Sequence, residues 1–142
     1  MQKTWVLAAE SSRARIFAMD SYAVPLREIE ALAHPQTRAL NQELLSDRPG
    51  RSFDSSGQGR HAMSTRVDAK QHEAMTFAKL LGERLERART VGEFENLVLV
   101  AAPEFLGLLR KNLTDNTMKR VTKTIDKNLV QKDEAVIREL LF

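Results

Sequence analysis

Residues 46–70, SDRPGRSFDSSGQGRHAMSTRVDAK, hold the side chains best suited to chemistry on a charged ligand. Between positions 48 and 66, Arg48, Arg51, Arg60, His61 and Arg66 face a single acid, Asp54. Guanidinium groups match phosphate oxygens in pairs, and Gly50, Gly57 and Gly59 let backbone amides approach an anion. Phe53, Ala62, Met63 and Val67 are the sizeable apolar residues, too few to bury the segment. A structureless stretch of this length in a small domain is uncommon, and is usually functional or disordered. The pattern predicts a basic loop over about 34–68 that binds a polyanion. Arg48, Arg51, Gly57, Gln58, Gly59, Arg60 and Arg66 are its candidate anion-binding residues. The competing reading is a solvated loop whose arginines pair with Asp47, Asp54 and other carboxylates. Gln58, set between two glycines, is the one catalytic candidate, because a side-chain amide both donates and accepts and can orient a water. Its alternative is a turn chosen for solubility.

Other chemistries find less support. The chain has no cysteine, which excludes disulfides, thiolate metal sites and cysteine nucleophiles. Two-metal hydrolysis needs convergent carboxylates. The first strand offers only Val6, Leu7 and Ala8 at its centre, with Glu10 and Asp20 at turns. His34, His61 and His72 are scattered without zinc spacing and are expected to be solvated. No metal and no cofactor is expected. Ser11-Ser12 reads as a turn, Arg13 and Arg15 as an exposed sheet face, and Trp5 as a core anchor. Lys119, Arg120, Lys123 and Lys127 form a second basic strip, read as edge-strand protection.

These residues need a scaffold, and 142 residues with 42% hydrophobic content suit one domain, 1–142, with a real core. The net charge of +3 is mildly basic. No apolar run spans a bilayer and the N-terminus is too short for a secretory signal, so the cytoplasm is the expected compartment. Thr4–Ala9 is apolar on both faces, as a central strand is. Arg13–Met19 alternates, and 26–32 alternates less clearly, predicting an antiparallel meander. A short helix is expected within 37–45. From Ala69 to Arg89 the period becomes helical, with Asp68 as N-cap and Ala74, Phe77, Ala78, Leu81, Leu85 and Ala88 on one face. Residues 96–101 form a buried strand, and Pro103 and Glu104 open a helix running through Leu113. Residues 119–126 form an edge strand. Asp133 caps a last helix with Val136, Ile137, Leu140 and Leu141 inward. The order predicts an α/β domain: a five-stranded mixed sheet, a meander plus βαβα, with helices on its faces and strands four and five parallel.

The strings WVLAAESSRARIF at 5–17, DRPGRSFDSSGQGRH at 47–61, HEAMTFAKLL at 72–81 and LVLVAAPEFLGLLR at 97–110 resemble the bacterial family of proteins required for attachment to host cells. That family is distantly similar to the middle domain of archaeal and eukaryotic class I peptide-chain release factors. The resemblance implies a ribonuclease-H-like sheet and a ribosome- or RNA-related ancestry. Gly57 and Gln58 match the release factors' Gly-Gly-Gln loop, with Ser56 in place of its first glycine. The expected function is a non-enzymatic factor that binds a ribosome or structured RNA through the basic loop. Two alternatives stay open: an altered peptidyl-tRNA hydrolase using Gln58, and a protein-interaction factor in attachment. Oligomeric state is left open.

Overall fold

A computed structural model describes residues 3–21, 23–34 and 59–141, the last with side chains from residue 68 onward. All six residues of β1 (Thr4–Ala9) are buried, because the strand has apolar or small side chains on both faces. It therefore sits mid-sheet. β2 (Arg13–Met19) pairs with it antiparallel, and β3 (Arg27–Ala33) pairs antiparallel with β2. On its other side β1 pairs parallel with β4 (Asn96–Val100), which pairs parallel with β5 (Val121–Ile125). The sheet order is β3-β2-β1-β4-β5. The mixed five-stranded sheet and the parallel fourth and fifth strands agree with the expectation from sequence.

Strand alternation sorts the core into two layers. Trp5, Leu7, Ile16, Leu97 and Leu99 point to one face. There they meet α1 (Gly59–Thr90) and α2 (Pro103–Lys111) through Phe77, Leu81, Leu85, Phe105 and Leu109. Val6, Ala8, Phe17, Val98 and Val100 point to the other face, covered by Leu129 and by Ile137 and Leu141 of α4 (Glu134–Leu141). Trp5 is the expected core anchor, 3% exposed with its ring 5.2 Å from that of Phe94.

Several elements differ from the sequence reading. α1 begins at Gly59, ten residues before Ala69, so Asp68 lies inside the helix rather than capping it. α2 stops at Lys111, and a short α3 (Asp115–Met118) follows, capped by Thr114, whose hydroxyl accepts from the Thr117 amide at 3.1 Å. On α4, Ile137 and Leu141 are buried, but Val136 and Leu140 are 38% and 37% exposed. One stripe of a two-turn helix suffices to cover the sheet there. The short helix expected within 37–45 lies outside the described residues.

Helix ends and crossings explain two glycines. Gly92, at φ +77°, ends α1 in a left-handed turn: its amide donates to Arg89 O and that of Glu93 to Ala88 O, the Schellman pattern. At Gly82 a Cβ would lie 2.4 Å from the Asn112 carbonyl oxygen, so α1 and the end of α2 meet backbone to backbone. Gly107, within α2, faces open space: a Cβ there would meet nothing within 4 Å.

Ion pairs then tie non-neighbouring elements. Arg84 of α1 forks onto Glu30 of β3 at 2.9–3.2 Å, lies 3.7 Å from Glu93, and stacks 5.3 Å from the Trp5 ring. The Glu30 hydrogen bonds raise the basicity of that guanidinium further. Arg15, expected on an open face, instead pairs with Glu28, donates to the carbonyls of Val130 (3.0 Å) and Lys132 (2.7 Å), and covers Phe17. Glu86 accepts from Arg89 and from the hydroxyls of Thr114 (2.6 Å) and Thr117 (2.7 Å), joining α1 to α3. Arg89 first, then the two hydroxyls, depress its carboxyl to about 2 from an ordinary 4.5.

Gly82→Ala is expected to cost about 1–3 kcal/mol by overpacking, whereas Gly107→Ala should gain up to about 1 kcal/mol of helix propensity. Urea unfolding of the two variants checks both signs. Because Glu86 has a depressed folded pKa, its contribution is complete above about 4.5 and falls away as pH drops towards 2. Glu86→Gln should therefore lower the thermal midpoint at neutral pH. It should also remove part of the acid-side slope between those two values, read by melting across a pH series.

Candidate functional site at the carboxyl rim of the sheet

β1, β3, β4 and β5 run in one sense, so their carboxyl ends share one rim. The chain leaves β1 towards β2, while the parallel neighbour β4 lies on the opposite side, which makes this rim a topological switch point. Three connections form it: Glu10–Ser12 after β1, 101–103 after β4 and 126–128 after β5. Glu10 ties the first to the last, accepting from Arg13 Nε at 2.9 Å and Asn128 Nδ2 at 3.1 Å. Ser11-Ser12 is the expected turn, and the Ser12 carbonyl accepts from the His34 amide at 3.0 Å.

His34 closes β3 at the same rim. The expectation of a solvated histidine fails here: His34 is 2% exposed, its ring edge-on to Phe77 at 5.7 Å. Burial arises because β3 ends beneath α1, an approach between residues 43 positions apart that local spacing does not reveal. His72, on the outer side of α1, is exposed as expected.

Because a helix rises about 1.5 Å per residue, Gly59 lies about 27 Å along the axis from Phe77. The helix thus continues well past the rim, and the backbone of Gly59, Arg60 and Arg66 goes with it. Arg48, Arg51, Gly57 and Gln58 lie outside the described residues.

Where α1 passes the rim, Lys70, Gln71, Ala74 and Met75 face Ser11 of the β1–β2 turn and Glu104, Phe105 and Leu108 of α2 across a cleft of about 350 Å³. Met75 is 56% exposed. The sequence signalled the polar members only as helix surface, and Ser11 only as a turn. Their meeting follows from the parallel β1–β4 pairing. Among the described residues, no set of three or more His, Asp or Glu side chains is placed to hold a metal ion. No described helix is long and apolar enough to cross a membrane.

Residues 5–141 match the family described as "Protein required for attachment to host cells", and the chain belongs to that family. It is also similar to "Uncharacterized protein RP470" of Rickettsia prowazekii (strain Madrid E). The two are 32% identical over 113 residues, covering 77% of this chain and 69% of the relative.

His34→Ala should cost about 2 kcal/mol by opening a cavity against Phe77, while the exposed His72→Ala should change stability by less than about 0.5 kcal/mol. Urea midpoints of the two variants distinguish a buried rim anchor from a solvated residue.

Proposed function

We propose that this protein is a cytoplasmic, non-enzymatic factor that binds a ribosome or structured RNA through its basic segment. The observation that carries this reading is the placement of that segment's ends. Its described flanks, His34 and α1, lie at the rim where α/β sheets bind their ligands, and α1 runs past that rim. Charge supports it. Of the body's arginines, Arg13, Arg15, Arg27, Arg84 and Arg89 sit in ion pairs with body carboxylates, while Arg87, Arg110 and Arg120 meet none among the described residues. Residues 35–67, in contrast, carry five arginines against Glu43, Asp47 and Asp54. In this reading Arg48, Arg51, Arg60 and Arg66 contact phosphates, while Gly57, Gln58 and Gly59 bring the backbone close to them.

The sheet is read as ribonuclease-H-like and the chain as one domain related to the release-factor middle domain. The order β3-β2-β1-β4-β5, three antiparallel strands followed by two parallel ones, supports that kinship. Ser56 replaces the first glycine of the release-factor loop and removes the backbone freedom only glycine supplies, which favours binding over peptidyl-tRNA hydrolysis.

Co-sedimentation with ribosomal subunits tests this. Wild type should pellet with a subunit at low salt and be released by a salt wash. Replacing Arg48, Arg51, Arg60 and Arg66 with alanine should weaken the association at least about tenfold, since each phosphate left unneutralised keeps its counterions. Undiminished pelleting of that variant would end the reading.

A further inference from the structure

Residues 110–127 hold Arg110, Lys111, Lys119, Arg120, Lys123 and Lys127 against only Asp115 and Asp126. That is a net +4 in a stretch of 18 residues, more than the +3 of the whole chain, so the remainder sums to −1. The fold sets five of these cations along one edge of the sheet, with Lys111 next to Arg110 at the end of α2. β5 is the outermost strand, Lys119 and Arg120 lead into it, Lys127 follows it, and Arg110 reaches over it from α2 to Thr124 at 3.4 Å.

Two of the six have structural work. Arg110 holds Thr124, and Lys123 donates to the last carbonyls of α4, Leu140 at 3.3 Å and Leu141 at 3.1 Å. Lys111, Lys119, Arg120 and Lys127 are exposed, and among the described residues none of them meets a carboxylate. Arg13 and Arg27, exposed elsewhere, do have acids. Guarding an edge strand takes one or two lysines on the strand itself. The dipole of α2 accounts for Lys111 in its last turn, but neither role accounts for Lys119 and Arg120 before the strand or Lys127 beyond it.

We propose that this β5 edge is a second, sequence-independent binding surface for a nucleic-acid phosphate backbone, separate from the segment before α1; that the nucleic acid is RNA rests on the function proposed above. The chemistry favours a nucleic-acid backbone over a membrane surface. Among the described residues, none of the exposed large hydrophobics belongs to this stretch. Only the short α4 stripe of Val136 and Leu140, whose Leu140 carbonyl meets Lys123, adjoins it, and that stripe is too small to insert among acyl chains. No aromatic residue lies within 110–127 to stack on bases, so the attraction is electrostatic and reads no sequence. Lys119 and Lys127 bracket a strand rising about 3.3 Å per residue, which spreads the charge linearly along the track a polyanion would follow.

Fluorescence anisotropy of a labelled oligouridylate, titrated with the full chain between about 50 and 200 mM salt, tests this. The variant Lys111→Gln, Lys119→Gln, Arg120→Gln and Lys127→Gln should bind about tenfold or more weakly. Its log–log salt slope should flatten by about 0.7 for each phosphate that a removed cation had neutralised. These side chains are exposed, so its urea midpoint should match wild type, and the Lys/Arg-exchanged set K111R, K119R, R120K and K127R should restore binding. Unchanged affinity and slope in the glutamine variant overturns the proposal. If the Arg48, Arg51, Arg60 and Arg66 variant is then the weaker binder in that same assay, RNA binding by the segment before α1 stands alone. Equal binding of wild type to phosphatidylglycerol vesicles, abolished in the glutamine variant, also overturns the assignment to RNA.

Discussion

Burial of β1 on both of its faces is the constraint from which the architecture follows. Trp5, Leu7 and Ala9 face one helical layer, Val6 and Ala8 the other, and none of the five exceeds 3% exposure. A strand with no polar face requires cover on both sides and hydrogen-bonded neighbours on both edges. β2 supplies one edge by a tight turn. The other edge must come from a distant segment, and β4, itself apolar throughout Leu97–Val100, is the strand that fits. Once β1 and β4 are parallel, their connection must carry the chain back, and α1 does so across the face that holds Trp5 and Leu7.

The ion pairs work on the periphery of that core. Arg84 secures the exposed strand β3 to α1, Arg15 secures β2 to the loop before α4, and Lys123 fastens the end of α4 to β5. Each joins an outer element to the layer beside it and offers multiple donors to fixed oxygens, the geometry in which guanidinium and ammonium groups specify position. The carboxylates Glu10, Asp20, Glu28, Glu30, Glu86 and Glu93 are engaged in ion pairs, and all lie on other elements than β5. Among the described residues, Lys119, Arg120 and Lys127 beside β5 meet no carboxylate.

Much of this was legible in the residues. Thr4–Ala9 and Arg13–Met19 are bounded by turn residues and coincide with the observed strands, because central strands are dictated by continuous or alternating apolar character. The start of α1 was not legible for a physical reason: past the rim the helix has no sheet to cover, so residues 59–68 need no apolar stripe, and periodicity is the signal by which such helices are read. His34, Arg15 and Arg84 gain their partners from elements remote in sequence, which leaves no local trace. The brief α3 had a signal in Thr114, a capping hydroxyl three residues before Thr117, but a single turn is too short to show a period. Of the candidate site, composition identified the basic segment and the strip by β5. The joining of Ser11, Met75 and Phe105 in one cleft required the parallel topology.

The pairing of Thr4 with Asn96 carries a kinetic consequence. The meander closes between segments a few residues apart and can form as soon as it is synthesised, whereas the seam between β1 and β4 joins segments separated by some ninety residues of chain. Loop closure over such a distance is slow relative to hairpin formation. At translation rates of roughly 5–20 residues per second, the nascent meander waits on the order of 3–13 s with one edge of its most hydrophobic strand unpaired. During that interval the growing chain is vulnerable to intermolecular strand addition, and the long α1, able to coil locally before β4 emerges, is the first element available to shield it.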